Sequence, residues 1–85
     1  MLRITEQRQP GGKTATLVVE GRLAGPWVDE LRASAAPHRG GLALDLAGLS
    51  YADEAGVALL NQLVATGADV VRSTAYVAAL LGRAR

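Results

Sequence analysis

The chain predicts a small α/β fold: a four-stranded mixed sheet, with an N-terminal antiparallel hairpin and the remaining strands parallel, carrying about three helices. Three observations lead there. Two strand-like runs, Leu2 to Thr5 and Thr16-Leu17-Val18-Val19, are joined across a turn-forming segment, the pattern of a hairpin. From residue 25 onward helical spacing alternates with short aliphatic runs, which in a short chain means parallel strands joined by helical crossovers. The 85 residues are 49% hydrophobic, mostly Ala, Leu and Val, with no Phe, one Trp and two Tyr, so residues 1–85 are expected to form one domain around one aliphatic core.

Leu2 and Ile4 alternate with Arg3 and Thr5, the period-two pattern of a half-buried edge strand. Pro10-Gly11-Gly12-Lys13 supplies the turn, and Thr14 to Glu20 follows as the second strand. Gly25-Pro26 reads as a helix start, with proline at the first helical position, where its missing N–H costs nothing. Val28, Leu31 and Ala35 then recur on one face, and Pro37 with Gly40 and Gly41 ends the run.

Leu42 to Leu46 is apolar except for Asp45, as expected for a strand covered on at least one face. Asp53 is suited to cap the next helix, because its carboxylate can accept from the free N–H groups of the first turn. Val57, Leu60 and Val64, with Leu59 and Leu63 offset, form a broad apolar stripe, and Gly67 is placed to stop it. Asp69-Val70-Val71-Arg72 is the fourth strand. Thr74 caps a last helix in which Tyr76, Val77, Leu80 and Leu81 share a face, with Arg83 and Arg85 near its negative end. Right-handed crossovers put the first two helices on one face of the sheet and leave the other partly open to solvent or to a partner, a second copy included.

Composition removes several function classes. A net charge of +1 provides no electrostatic case for nucleic acid. The absence of Cys excludes disulfides, thiolate metal sites and cysteine nucleophiles, and fits a reducing compartment. No apolar run approaches the roughly 18 residues of a membrane span, and MLRITEQRQ carries charges where a signal peptide needs its apolar stretch. A cytoplasmic protein without direct membrane insertion is expected.

Several segments in order, Leu17-Val18-Val19-Glu20-Gly21-Arg22-Leu23, a helix, Leu44-Asp45-Leu46-Ala47-Gly48-Leu49, Asp53-x-x-Gly56-Val57-x-Leu59-Leu60 and Gly67-Ala68-x-Val70-Val71, together resemble a STAS domain, the sulfate transporter and anti-sigma factor antagonist family. The resemblance covers nearly the whole chain. It implies a non-enzymatic, regulatory protein-binding module whose partner is an anti-sigma factor or kinase-like protein. In that family a serine or threonine follows the aspartate, and its phosphorylation breaks the complex. Here Glu54 and Ala55 follow Asp53, so no phosphorylation is expected at the family position. The first helix and the fourth strand are also short for the family. Gly25-Pro26-Trp27-Val28-x-Glu30-Leu31 resembles compact bacterial STAS-like proteins that likewise lack the hydroxyl. Asp53-x-Ala55-Gly56-x-Ala58-Leu59-Leu60 also resembles the cytoplasmic STAS subunits of phospholipid ABC transporters, which implies an ATPase as the alternative partner.

The candidate surface is the turn and helix start comprising Ser50, Tyr51, Asp53, Glu54, Ala55, Gly56 and Val57, with Trp27 as a possible interface residue. Glu54 either fixes the turn permanently in one binding state or simply complements the helix dipole, an effect of about 0.3–1 kcal/mol. Ser50 and Tyr51 offer hydroxyls beside the turn, and the plainer reading is a turn serine and a half-buried aromatic. Trp27 is of a residue type enriched at interfaces, while its spacing to Leu31 favours the face turned to its own core. Asp45, Asp53 and Glu54 would hold Mg²⁺ only if they converged, and the chain lacks the further acidic and lysine positions of a receiver domain; no metal and no cofactor are expected. His38, in Pro37-His38-Arg39-Gly40-Gly41, has no neighbouring nucleophile and is expected to be a solvated loop residue. Gly40-Gly41 lacks the lysine and spacing of a phosphate loop.

Overall fold

Ala15, Leu17, Val19 and Leu23 are buried while Glu20 and Arg22 are exposed, so the segment Ala15–Leu23 forms a strand, β2, with one face turned to a core. The computed structural model describes residues 2–8, 14–38 and 41–82. Strand β1 (Leu2–Arg8) pairs antiparallel with β2 in unbroken register, from Leu2 opposite Gly21 to Arg8 opposite Ala15. The hairpin is therefore as predicted, although its turn at Pro10-Gly11-Gly12-Lys13 lies outside the described residues.

The third lane of the sheet holds two strands. Strand β3 (Leu42–Leu46) runs parallel to β2 from Ala15 to Val18, and β4 (Leu49–Ala52) continues along the same edge from Gly21 to Leu23. Between them Ala47 and Gly48 form a turn, held by the Ala47 N–H donating to Asp45 Oδ1 at 3.2 Å and the Gly21 N–H donating to Gly48 O at 3.0 Å. Strand β5 (Asp69–Ser73) pairs parallel with β3 at the far edge, with a register shift between Leu44 and Asp45. The sheet thus has five strands rather than four, in the order β1-β2-β3-β5 with β4 on β2. The difference arises because Leu49–Ala52, which includes the expected turn residues Ser50 and Tyr51, finds the free edge of β2.

Helix α1 (Trp27–Ala35) starts one residue later than expected, with Pro26 as its N-cap, and passes into a 3₁₀ turn at Ala36–His38. Helix α2 (Glu54–Ala65) ends before Gly67, whose φ of 111° is left-handed and costs an L side chain strain. In α3 (Ala75–Gly82) the Val77 N–H donates to Thr74 Oγ1 at 3.1 Å, the predicted cap. Val77 is fully buried and Leu80 and Leu81 are half-buried, but Tyr76 is 46% exposed and leaves the face assigned to it. Arg83 and Arg85 lie outside the described residues.

Helix α2 packs between α1 and α3, and Leu31, Leu60 and Val77 join Leu17, Val19, Leu44 and Leu46 in one aliphatic core. All three helices therefore lie on one face of the sheet. The opposite face carries Arg3, Thr5, Glu20 and Arg22, all exposed, around the half-buried Val18, which makes it a mainly polar surface.

His38 departs from its expected solvated position. It is 7% exposed, and its Nε2 lies 2.7 Å from Glu6 Oε1 on β1. The 3₁₀ turn folds the ring back under the sheet edge, where an imidazole needs a polar partner. Glu6 also pairs with Arg8 Nε at 3.0 Å, and the His38 hydrogen bond is the main cause that holds the Glu6 carboxyl below its ordinary range.

Candidate functional surface at the helix starts

Strands β2 and β4 run parallel and end at Leu23 and Ala52, so the chain leaves both at the same edge of the sheet. Helices α1 and α2 begin there, which sets their N-termini side by side, at the edge where open α/β sheets place their sites. Asp53 joins the two starts. Its Oδ1 accepts from the Gly56 N–H at 2.7 Å, its Oδ2 accepts from the Gly25 N–H at 3.1 Å, and its own N–H donates to Leu23 O at 3.0 Å. One carboxylate thus caps α2 and holds the lead-in of α1, satisfying N–H groups that a helix start leaves free.

Gly56 makes this approach possible. A Cβ at this position would lie 2.7 Å from Leu23 O and 3.0 Å from Leu23 Cγ, so only glycine lets the first turn of α2 sit against the end of β2. Gly25, at φ 59°, turns the chain from β2 into α1 through a left-handed conformation.

The residues facing outward from this frame are Pro26, Trp27, Glu54 and Ala55, all exposed. Trp27 is 37% exposed and stands outside the buried set Val28, Leu31 and Ala35, so the core position open to it by spacing is not the one it takes. Asp29, Glu30 and Glu54 occupy the first turns of the two helices, giving the surface an acidic character. Asp29 is paired with Arg32 one turn on. Val57 is half-buried against the core and contributes to support rather than to surface.

Ser50 and Tyr51 belong to β4 and not to a turn, and both are exposed. Ser50 Oγ donates to Gly21 O at 2.9 Å, and the Arg22 guanidinium stacks over the Tyr51 ring at 4.6 Å from its centroid. Asp45 is committed to the Ala47 turn, and among the described residues no three His, Asp or Glu side chains gather closely enough to hold a metal ion. No described helix is long and apolar enough to cross a membrane.

The Asp-x-x-Gly spacing signals the cap and the close approach together, since it sets the capping carboxylate three residues before the N–H it receives. The bond from Asp53 to Gly25, 28 residues away, has no such signal, and neither has the His38–Glu6 pair, 32 residues apart. No protein-family model matches the chain, and no curated protein matches it. What the surface can do must therefore be argued from its own residues. It presents an aromatic ring, small side chains and carboxylates on the frame that Asp53 ties together.

Proposed function

We propose that this chain is a STAS-like protein-interaction module that docks a regulatory protein partner through the paired helix starts, without catalysis, in the cytoplasm. The observation that carries the reading is the Asp53 clamp: it fixes the turn of α2 while leaving Glu54 and Ala55 exposed beside Trp27. An anti-sigma factor or kinase-like partner is the partner class that the resemblance implies. At the position where such modules carry a phosphorylated hydroxyl, Glu54 holds one negative charge permanently, against about −1.5 to −2 for a phosphate. Docking is therefore set by sequence and not by a phosphorylation cycle at this turn.

The alternative of an accessory subunit on a transporter ATPase rests on the Asp53-x-Ala55-Gly56 segment and uses the same surface. Affinity capture from the native cell, followed by identification of the retained protein, separates the two. A histidine-kinase-like anti-sigma factor supports the regulatory reading and an ATPase with its permease the transport one. Capture with Glu54→Ala should be weakened in either case. Equal recovery of the same partner by both forms removes Glu54 from the interface.

A further inference from the structure

A groove of about 450 Å³ opens at the other end of the helices, between the C-terminal halves of α1 and α2. That volume lies within the roughly 300–1,000 Å³ of small-molecule sites. Its apolar lining includes Ala35, Leu42, Leu59 and Leu63; among the described residues, Arg32 and His38 are the ionisable ones that line it and no acidic side chain does. The groove therefore combines a hydrocarbon wall with cationic donor capacity.

His38 gives the groove a built polar end. Its side chain is 6% exposed, and Nε2 is taken by Glu6. His38 lines the groove, and the hydrogen bond to Glu6 engages only one of its two ring nitrogens. Among the described residues Arg32 is paired only with Asp29, an exposed contact one helical turn away that contributes little and can be exchanged.

We propose that this groove binds a small apolar carboxylic acid, its chain against the aliphatic wall and its carboxyl group between Arg32 and His38. The guanidinium donates two parallel N–H groups to a carboxylate, the geometry for which arginine is suited. Glu6 holds His38 Nε2, which leaves Nδ1 as the ring nitrogen able to hydrogen-bond the ligand's carboxyl group. Among the described residues, Glu6 of β1 is the charged group bonded to the ring and Arg32 of α1 the charged residue that shares the groove with it; the lining residues from α2 and β3 are uncharged. The site is separate from the docking surface and does not depend on it.

The test is a titration of the full chain with sodium octanoate and, for comparison, octanol, followed by backbone amide shifts and by calorimetry. Saturable shifts at the groove are expected, with octanoate binding at least about tenfold more tightly than octanol and Arg32→Gln removing that difference. His38→Gln, glutamine retaining a donor for Glu6, should weaken octanoate more than octanol. The proposal is overturned by failure to saturate at about 10 mM octanoate, by shifts confined to other surfaces, by equal affinity for octanol, or by octanoate affinity unchanged in both Arg32→Gln and His38→Gln.

Discussion

Replacing Gly56 by alanine sets two opposed effects against each other, and the structure decides the sign. Alanine is favoured over glycine within a helix by about 0.8–1 kcal/mol, so propensity alone predicts stabilisation. The new Cβ, however, would lie 2.7 Å from Leu23 O, a backbone atom, and 3.0 Å from Leu23 Cγ, in a fully buried side chain. Relief requires moving the start of α2 away from the end of β2. Overpacking of this kind costs about 1–3 kcal/mol. The same carbonyl accepts the Asp53 N–H at 3.0 Å, and weakening that bond adds about 0.5–1.5 kcal/mol. Gly56→Ala should therefore destabilise by about 1–3 kcal/mol net, lowering Tm by about 4–8 °C for each kcal/mol in a chain of this size. Urea denaturation followed by circular dichroism measures it, with Ala58→Gly at an exposed position of α2 as the control for propensity. A Gly56→Ala protein as stable as the parent, or more so, would refute the close-approach argument.

Three further outcomes follow from the same contacts. Asp53→Ala should cost about 1–3 kcal/mol in urea denaturation, because it removes the cap of α2 and the acceptor for Gly25 together, whereas Asp53→Asn should cost less by keeping one acceptor oxygen. Glu54→Ser should change stability by no more than about 1 kcal/mol, the scale of a single charge at an exposed helix start, so a larger loss would give Glu54 a structural role not visible in its contacts. Glu6 is held below its ordinary value of 4.5, so its stabilising contribution is present above that pH and is lost as pH falls through the lower folded value. Urea midpoints compared for the parent and Glu6→Gln should therefore converge below pH 4.5, and a gap that widens on acidification would contradict the His38–Glu6 pairing.

Local signals were sufficient wherever a residue acts on its neighbours in the chain. Asp53 and Thr74 announce their caps by type and spacing, Gly67 ends α2 as its position suggests, and Val28, Leu31 and Ala35 mark the buried face of α1. Contacts across the sheet were not legible in this way. Strand β4 forms because β2 extends past the end of β3 and leaves an edge for Leu49 to Ala52, a fact of register rather than of composition. His38 is buried because β1 brings Glu6 to it, and nothing near residue 38 in sequence reveals that partner. Trp27 falls at the first residue of α1, where the helix has just left the sheet edge, so a spacing compatible with the core still leaves the ring exposed. For the helix-start surface, the sequence identified the α2 turn and left the linkage to Gly25 to the fold.

Site-specific photo-crosslinking in the native cell tests the proposed function most directly. A benzophenone side chain at Ala55, exposed on the helix-start surface, is compared with one at Thr5 on the polar sheet face. The docking account predicts a defined adduct with one regulatory protein or transporter ATPase from position 55, reduced by Glu54→Ala, and none from position 5. An adduct formed from position 5 alone, or adducts from position 55 that are indifferent to Glu54, would contradict it.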